Sequence, residues 1–164
     1  MSDPGLKKLL RRLTSSLAED LLVQSVTDNI RQQLDVDRVV LYYFYRHWSG
    51  RVTFESLSDR LYSILGSTGP DECFNGEYAA LYQEGRISAI ANVATAPIAE
   101  CHRQFLQSIQ VKANLVVPVL PNSELWGLLV AHHCQRPINW TSEHQTTMQA
   151  GANTLARSPT IGGK

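Results

Sequence analysis

The chain has 164 residues, of which 43% are hydrophobic and 18% are charged, and this is enough to build one globular core. Fifteen Lys and Arg residues balance fifteen Asp and Glu residues, so the charge favours neither nucleic acid nor an anionic membrane as a partner. The sequence has no membrane-length apolar run and no secretory signal pattern, and its three cysteines argue against a secreted disulfide framework. We therefore expect a soluble cytoplasmic domain with reduced thiols and no direct membrane contact.

Leucines recur at helical spacing near the N-terminus, at Leu6, Leu10, Leu13, Leu17 and Leu21. The pattern predicts one amphipathic helix over about residues 5–34. A helix of this length presents more apolar surface than a small domain usually covers, so part of its face is predicted to pair with a second copy. Packing entirely on the domain's own core remains the alternative.

The rest of the chain predicts alternating strands and helices. Strand-forming residues indicate a hairpin at 38–45 and 51–55, a strand at 86–93 and a second hairpin at 113–120 and 125–134. Helices are predicted at 78–82, at 97–109 with Pro97 in the first turn, and at 142–156 with Ser142 and Gln145 as a capping box. Residues 58–75 form a long irregular stretch, and such loops in compact domains are usually functional or disordered.

The last predicted strand has apolar residues on both faces. Alternation places Trp126, Leu128, Val130 and His132 on one of them. The order of elements predicts an α+β fold, in which an antiparallel sheet carries the first and last helices on one face and irregular segments over the other. The second face needs a cover for its apolar side chains, and a planar ligand in a pocket would provide one.

Cys101 precedes His102 near the start of a predicted helix. A thiol at a helix N-terminus beside an imidazole has a lowered pKa and adds to electrophiles as thiolate, whereas most free cysteines are small buried hydrophobes. Both interpretations stay open on the local pattern alone. Helical spacing predicts that Ile98, Cys101, Phe105 and Ile109 point inward together.

The other two cysteines differ in their surroundings. Cys73 lies in the turn-rich stretch GPDECFNG with Asp71 two positions earlier, where burial is limited and contact with a ligand is favoured. Cys134 ends a predicted strand and is expected to be structural.

A zinc site that uses His132 and His133 is disfavoured, because adjacent strand residues face opposite sides and no paired C-x-x-C spacing is present. A Cys101–His102 hydrolase is disfavoured as well, because helical neighbours diverge by about 100°. No metal is therefore expected.

Three segments together resemble a bilin-binding GAF domain of the cyanobacteriochrome group. They are the strand LWGLLVAHH at 125–133, the Cys101–His102 pair, and the tetrapeptide DECF at 71–74, which matches the Asp-x-Cys-Phe motif of one subfamily. The similarity covers nearly the whole chain. It implies a non-enzymatic photoreceptor for phototaxis signalling, with a methyl-accepting output domain in the parent protein. On this basis residues 1–34 are a helix for signalling and homodimerisation, 35–158 the GAF core that binds bilin, and 159–164 a C-terminal tail.

The resemblance also implies the pigment chemistry. A linear tetrapyrrole would be attached through a thioether from its A ring to Cys101, with phycocyanobilin bound first and converted to phycoviolobilin. Cys73 would add reversibly to the central methine bridge. Addition divides the conjugated system and gives a blue-absorbing state, and loss of the second thioether restores a green-absorbing one.

Further residues receive roles from the same resemblance. Asp71 would accept hydrogen bonds from pyrrole N–H groups, His102 would contact the central pyrroles, and His132 would reach the D-ring carbonyl, with a satisfied core histidine as the alternative for His132. Arg86 and Lys112 are assigned to the propionates by position. The aromatic walls of the pocket would be Phe74, Tyr78 and Tyr82.

Two other functions of a GAF-type fold remain open. One is a thiol enzyme resembling the free methionine sulfoxide reductases, and the other is a module that binds a cyclic nucleotide or only a protein partner. Colour acquired during co-expression with a bilin pathway distinguishes the photoreceptor from both.

Overall fold

A computed structural model describes residues 4–46, 49–69 and 76–162, with the side chains of residues 76–79 left out of the description. Its strands form one five-stranded sheet in the order β2-β1-β5-β4-β3, and each neighbouring pair is antiparallel. The strands are β1 (Arg38–Arg46), β2 (Ser49–Leu57), β3 (Ser88–Ile90), β4 (Ala113–Val119) and β5 (Gly127–His133). Both predicted hairpins are confirmed. The predicted strand at 86–93 is shorter, because only residues 88–90 pair with β4.

The helices of the described residues are α1 (Pro4–Glu19), α2 (Leu21–Leu34), α3 (Gly76–Gln83), α4 (Glu100–Ser108), α5 (Ser142–Leu155) and α6 (Pro159–Gly162). The prediction of one continuous N-terminal helix is wrong. Asp20 is extended, with φ −84° and ψ 107°, and its carboxylate accepts hydrogen bonds from the N–H groups of Leu22 and Val23. This residue caps α2 and ends α1, because its side chain satisfies amide groups that open the second helix.

Two other predicted helix starts are corrected. Helix α4 begins at Glu100, because the Arg103 guanidinium donates to the carbonyls of Val93 and Ala96 and holds the preceding segment outside the helix. Helix α5 is capped by Thr141, whose hydroxyl accepts from the His144 amide while His144 Nδ1 accepts from the Thr141 amide. This capping box replaces the predicted pair of Ser142 and Gln145.

The largest apolar cluster lies between the sheet and helices α2 and α5. It contains side chains from alternate positions of the central strands, including Val39, Leu41, Leu129 and Ala131. The predicted arrangement of the first and last helices behind the sheet is therefore confirmed for α2 and α5. Trp126 is an exception to the predicted alternation, because it precedes β5 and packs on this same helix-side cluster.

The chain's C-terminal part also joins this layer. Ile161 of α6 is 5% exposed, and the Thr160 hydroxyl donates to the Asp20 carboxylate at 2.9 Å. Residues 159–162 of the predicted tail are thus packed against the start of α2. No helix among the described residues is long and apolar enough to cross a membrane.

Candidate functional site

The face of the sheet opposite α2 and α5 carries the candidate site. A second apolar cluster covers this face, and its buried members are Val40, Tyr42, Val52, Tyr82, Val116, Leu128 and Val130. Tyr82 comes from α3, and Ile64 packs on the cluster from the segment that follows β2. We call this surface the second face. The sequence predicted it from the alternation in β5, which correctly placed Leu128 and Val130 together.

His132 lies at the end of the second face in a fully buried polar contact. It is 4% exposed, and its Nδ1 accepts a hydrogen bond at 3.0 Å from Nε of Arg38, which is 0% exposed. Burial, and to a lesser extent the charge of Arg38, hold the pKa of His132 well below its ordinary value. Because arginine only donates, the neutral ring of His132 carries its proton on Nε2.

Arg38 is itself fixed by two backbone groups. Its Nη1 donates to the Tyr62 carbonyl at 2.6 Å, and its Nη2 donates to the Ile109 carbonyl at 2.7 Å. The guanidinium therefore joins β1 to the turn at Arg60–Tyr62 and to the C-terminal end of α4. Sequence reasoning missed this residue, although a lone cation before the apolar run VVLY was a signal of a buried partner.

Helix α4 presents Cys101 and His102 differently from the prediction. Cys101 is exposed, whereas His102 is 7% exposed and shares the inward face with Leu106 one turn later. Burial lowers the pKa of His102, which favours a neutral imidazole. The predicted inward face is confirmed for Ile98, Phe105 and Ile109, which pack on the cluster around Leu106, but it is wrong for Cys101.

The prediction of reduced thiols holds for Cys134 but not for Cys101. Cys134 is free and buried, and burial raises the pKa of its thiol to about 11, in agreement with a structural role. The Cys101 sulfur, in contrast, is disulfide-bonded. A sulfur in a disulfide has no thiol to react, so the disulfide must be reduced before a ligand can be attached to Cys101.

Tyr42 is a member of the second face that the sequence analysis did not select. Its ring is 8% exposed, and its hydroxyl accepts a hydrogen bond from the Gly69 amide at 3.0 Å. A Cβ at Gly69 would lie 2.3 Å from that hydroxyl, and one at Gly50 would lie 2.6 Å from the ring. Both positions therefore require glycine for the backbone to approach Tyr42. The alternation of β1 with Val40 was the signal that could have placed Tyr42 here.

The other residues predicted to contact the ligand do not all lie on the second face. Tyr82 is buried in the second face, and the Arg86 guanidinium carbon lies 5.9 Å from the centre of its ring. Lys112 is exposed and directly precedes β4. Asp71, Cys73 and Phe74 lie outside the described residues, as does the side chain of Tyr78 in α3.

His133 lies apart from the second face, as its strand position predicts. Its Nδ1 accepts from the amides of Gln135 and Arg136, and it borders a cavity of about 670 Å³ beside α2 that Asp37 also lines. The Asp37 carboxylate accepts from the Cys134 amide at 2.8 Å and from the Ser58 hydroxyl at 3.0 Å. These contacts anchor the end of the sheet and give His133 a structural role.

Comparisons with known proteins agree with this architecture. The family model for the GAF domain matches residues 19–158. An uncharacterized protein of Picosynechococcus sp. is 47% identical over 156 residues, which cover 95% of this chain and 96% of that protein. A putative methyl-accepting chemotaxis protein of Synechocystis sp. is 34% identical over 151 residues, which cover 89% of this chain but only 15% of that protein.

Solved structures give the same result. The blue-light absorbing form of the PixJ GAF domain from Thermosynechococcus elongatus has 29% identity and a TM-score of 0.73, with 90% of this chain and 87% of that one covered. A phycocyanobilin-bound GAF domain from a cyanobacterial phytochrome has 29% identity and a TM-score of 0.73, with 94% of this chain and 93% of that one covered. These matches to photoreceptor GAF domains confirm the predicted fold, the resemblance to cyanobacteriochromes and the non-enzymatic prediction. The chain belongs to the GAF domain family.

Proposed function

We propose that this domain is a photoreceptor that carries a covalent linear tetrapyrrole on its second face, attached through Cys101. The observation that carries the proposal is the pairing of an exposed Cys101 with a buried His102 on the first turn of α4. Once the disulfide is reduced, the thiol of this exposed residue can be reached by a ligand, while the next side chain points into the protein where the ligand's rings would lie. The phycocyanobilin-bound structural relative supports this choice of ligand.

The chemistry of the second face suits a planar, polar-edged pigment. Its apolar members exclude water from the ring faces, and the neutral His102 and His132 offer hydrogen bonds at the ring edges. Ile109 is eight positions after Cys101, so the Ile109 carbonyl that binds Arg38 lies about 12 Å from the attachment site along α4, and Arg38 in turn binds His132. An A ring held by Cys101 thus leaves the D ring for His132.

The finer proposal is a blue/green switch of the Asp-x-Cys-Phe type with phycoviolobilin as the pigment. Reversible addition of Cys73 to the central methine bridge makes that carbon tetrahedral and divides the conjugated system. Asp71 would accept from the pyrrole N–H groups, Arg86 and Lys112 would hold the propionates, and Phe74, Tyr78 and Tyr82 would wall the rings. Similarity to a putative methyl-accepting chemotaxis protein and to PixJ supports phototaxis as the output, with the N-terminal helices as the dimerising and transmitting element.

Co-expression with a phycocyanobilin-producing pathway tests covalent loading. After reduction, purification and denaturation, wild type should retain a pigment that fluoresces with zinc. Cys101→Ala should lose most of this signal, because the A-ring thioether cannot form. Cys134→Ala is the matched control, since Cys134 is a free, buried thiol, and it should load like wild type. Colourless wild type, or pigment that separates from the denatured chain, refutes the proposal.

State-dependent labelling tests the second thioether. In loaded wild type, a thiol-alkylating reagent should modify Cys73 under illumination that populates the green-absorbing state, and should trap that state. Cys73→Ala should still carry pigment through Cys101 but should absorb at longer wavelength in the dark, because nothing divides the conjugated system. Equal Cys73 labelling in both light states, or an unchanged blue band in Cys73→Ala, eliminates the dual-cysteine mechanism.

A further inference from the structure

One row of side chains crosses three strands at the end of the second face. Strand register places Arg38 of β1 opposite His132 of β5, and His132 opposite Asn114 of β4. The neighbouring positions two residues along, Val40 and Val130, belong to the second-face cluster, so the row has the same orientation. Directly opposed residues of an antiparallel pair have Cβ atoms roughly 5 Å apart, so the imidazole and the Asn114 amide are neighbours.

Asn114 is the one member of this row that lacks a partner for its acceptor. The residue is 4% exposed, and its Oδ1 is buried with no hydrogen bond in the described structure. A buried amide oxygen left without a donor is destabilising, and native proteins keep few such groups. A donor that belongs to a bound molecule would satisfy it.

The two polar groups of this row are complementary to one kind of ligand edge. His132 offers an Nε2–H donor, because Arg38 occupies Nδ1 and the other guanidinium nitrogens are held by the Tyr62 and Ile109 carbonyls. Asn114 offers an acceptor beside it. A lactam displays a carbonyl oxygen and an N–H side by side, which is the complement of a donor next to an acceptor. Each end ring of a linear tetrapyrrole is such a lactam.

We propose that Asn114 accepts the hydrogen bond from the lactam N–H of the ligand's D ring, beside the carbonyl that His132 binds, and that Arg38 positions His132 for this recognition. The inference rests on the proposed function, because the ligand is the bilin attached at Cys101. Asn114 and His132 together recognise the lactam edge of the D ring in one light state. Isomerisation that turns the D ring removes the N–H from Asn114 and leaves the attachment at Cys101 unchanged.

The test compares Asn114→Leu with Asn153→Leu in pigment-loaded protein. Asn153 is exposed on α5, on the other side of the sheet, and gives a matched substitution. With ¹⁵N-labelled pigment, the D-ring N–H of Asn114→Leu should exchange with solvent about tenfold faster than wild type in the dark state, because one hydrogen bond to it is lost. Its proton resonance should also shift, whereas Asn153→Leu should match wild type. The acceptor-retaining Asn114→Asp should keep slow exchange.

Stability measurements without pigment distinguish ligand recognition by Asn114 from a structural role of this residue, and pigment content shows whether the bilin has bound at all. Asn114→Leu without pigment should unfold at the same or a higher urea concentration than wild type, since no protein partner is lost. Asn114→Val, which suits a strand, replaces the Leu variant if that does not fold. Unchanged D-ring exchange in a loaded variant, or a lower urea midpoint without pigment, overturns the inference. Wild type that binds no pigment would instead refute the proposed function.

Discussion

Helices α2 and α5 cross where Gly151 contacts Ile30. A Cβ built on Gly151 would lie 2.5 Å from Cδ1 of Ile30, which is 2% exposed, so that side chain would have to shift within the core. Gly151→Ala gains about 1 kcal/mol of helix propensity but overpacks this contact by about 1–3 kcal/mol. We expect a net loss of about 1 kcal/mol in the free energy of unfolding, measured with urea.

A double-mutant cycle isolates the contact between these two residues. Ile30→Val removes Cδ1 and alone should cost about 1 kcal/mol. In that background the nearest atoms to the Cβ of Gly151→Ala are Val26 Cγ1 at 3.4 Å and Cγ1 of residue 30 at 3.5 Å, both ordinary contacts. The alanine should then be stabilising, with a coupling of about 2 kcal/mol. Additive effects would show that the helices separate freely at this point.

The break between α1 and α2 yields a prediction about Asp20. Asp20→Ala removes the cap of α2 and the acceptor for the Thr160 hydroxyl, so the free energy of unfolding should fall by about 1–2 kcal/mol. Asp20→Asn keeps a side-chain acceptor for the helix amides and should lie close to wild type. Equal losses in both variants would mean that charge, and not capping, is what Asp20 supplies.

The buried histidines predict how the unpigmented protein responds to acid. The pKa values of His132 and His102 are both lowered, His132 by burial and then Arg38, His102 by burial. Below pH 6.5 the unfolded chain binds protons that the folded state does not, so their contribution to stability is present above pH 6.5 and is lost as the pH falls. Each such group lowers the free energy of unfolding by up to about 1.4 kcal/mol per pH unit.

Urea denaturation between pH 5.5 and pH 7.5 measures this dependence. Wild type should have a clearly lower midpoint at pH 5.5, and His102→Gln should have a shallower slope, because one titrating group is removed. A slope that is unchanged in His102→Gln would contradict the burial of this imidazole.

Asp37 predicts a separate response at lower pH. Burial alone would raise the pKa of Asp37, but hydrogen bonds from the Cys134 amide, Gln135 and Ser58 leave it lowered. Its contribution is therefore present above about pH 3.8, its ordinary value, and is lost as the pH falls through the lower folded pKa. Asp37→Ala should cost about 3 kcal/mol at pH 7, because three donors lose a charged acceptor. Loss of less than about 1 kcal/mol would show that water replaces the carboxylate.

The sequence predicted those features that depend on alternation or on turn chemistry within a short segment. Both hairpins follow from β-branched and aromatic runs, and the second face followed from Leu128 and Val130. Helix boundaries were less predictable, because they depend on hydrogen bonds made by individual side chains. The Asp20 carboxylate interrupts a regular leucine pattern by accepting hydrogen bonds from two backbone amides, and Arg103 delays α4 by donating to two carbonyls upstream. Neither contact leaves a periodic signal.

Some residues of the candidate site could be predicted from the sequence, and others could not. Short motifs and the resemblance selected Cys101, His102 and His132, but the orientation of α4 buries His102 and exposes Cys101, the reverse of the expected burial of Cys101. Arg38 and Asn114 were missed because their importance comes from strand register, which pairs residues far apart in the chain. A register between β1, β5 and β4 cannot be derived from any single segment.

The three hydrogen bonds of Arg38 also constrain how the chain folds. Its partners, Tyr62, Ile109 and His132, are 24, 71 and 94 residues away in sequence. A partly folded state that buries this guanidinium before β5 and α4 have packed would contain an uncompensated buried cation, which is strongly unfavourable. Partially assembled states are thereby raised in free energy relative to both the native and the unfolded chain. The domain should consequently fold as one cooperative unit, at the slower rate typical of long-range contacts.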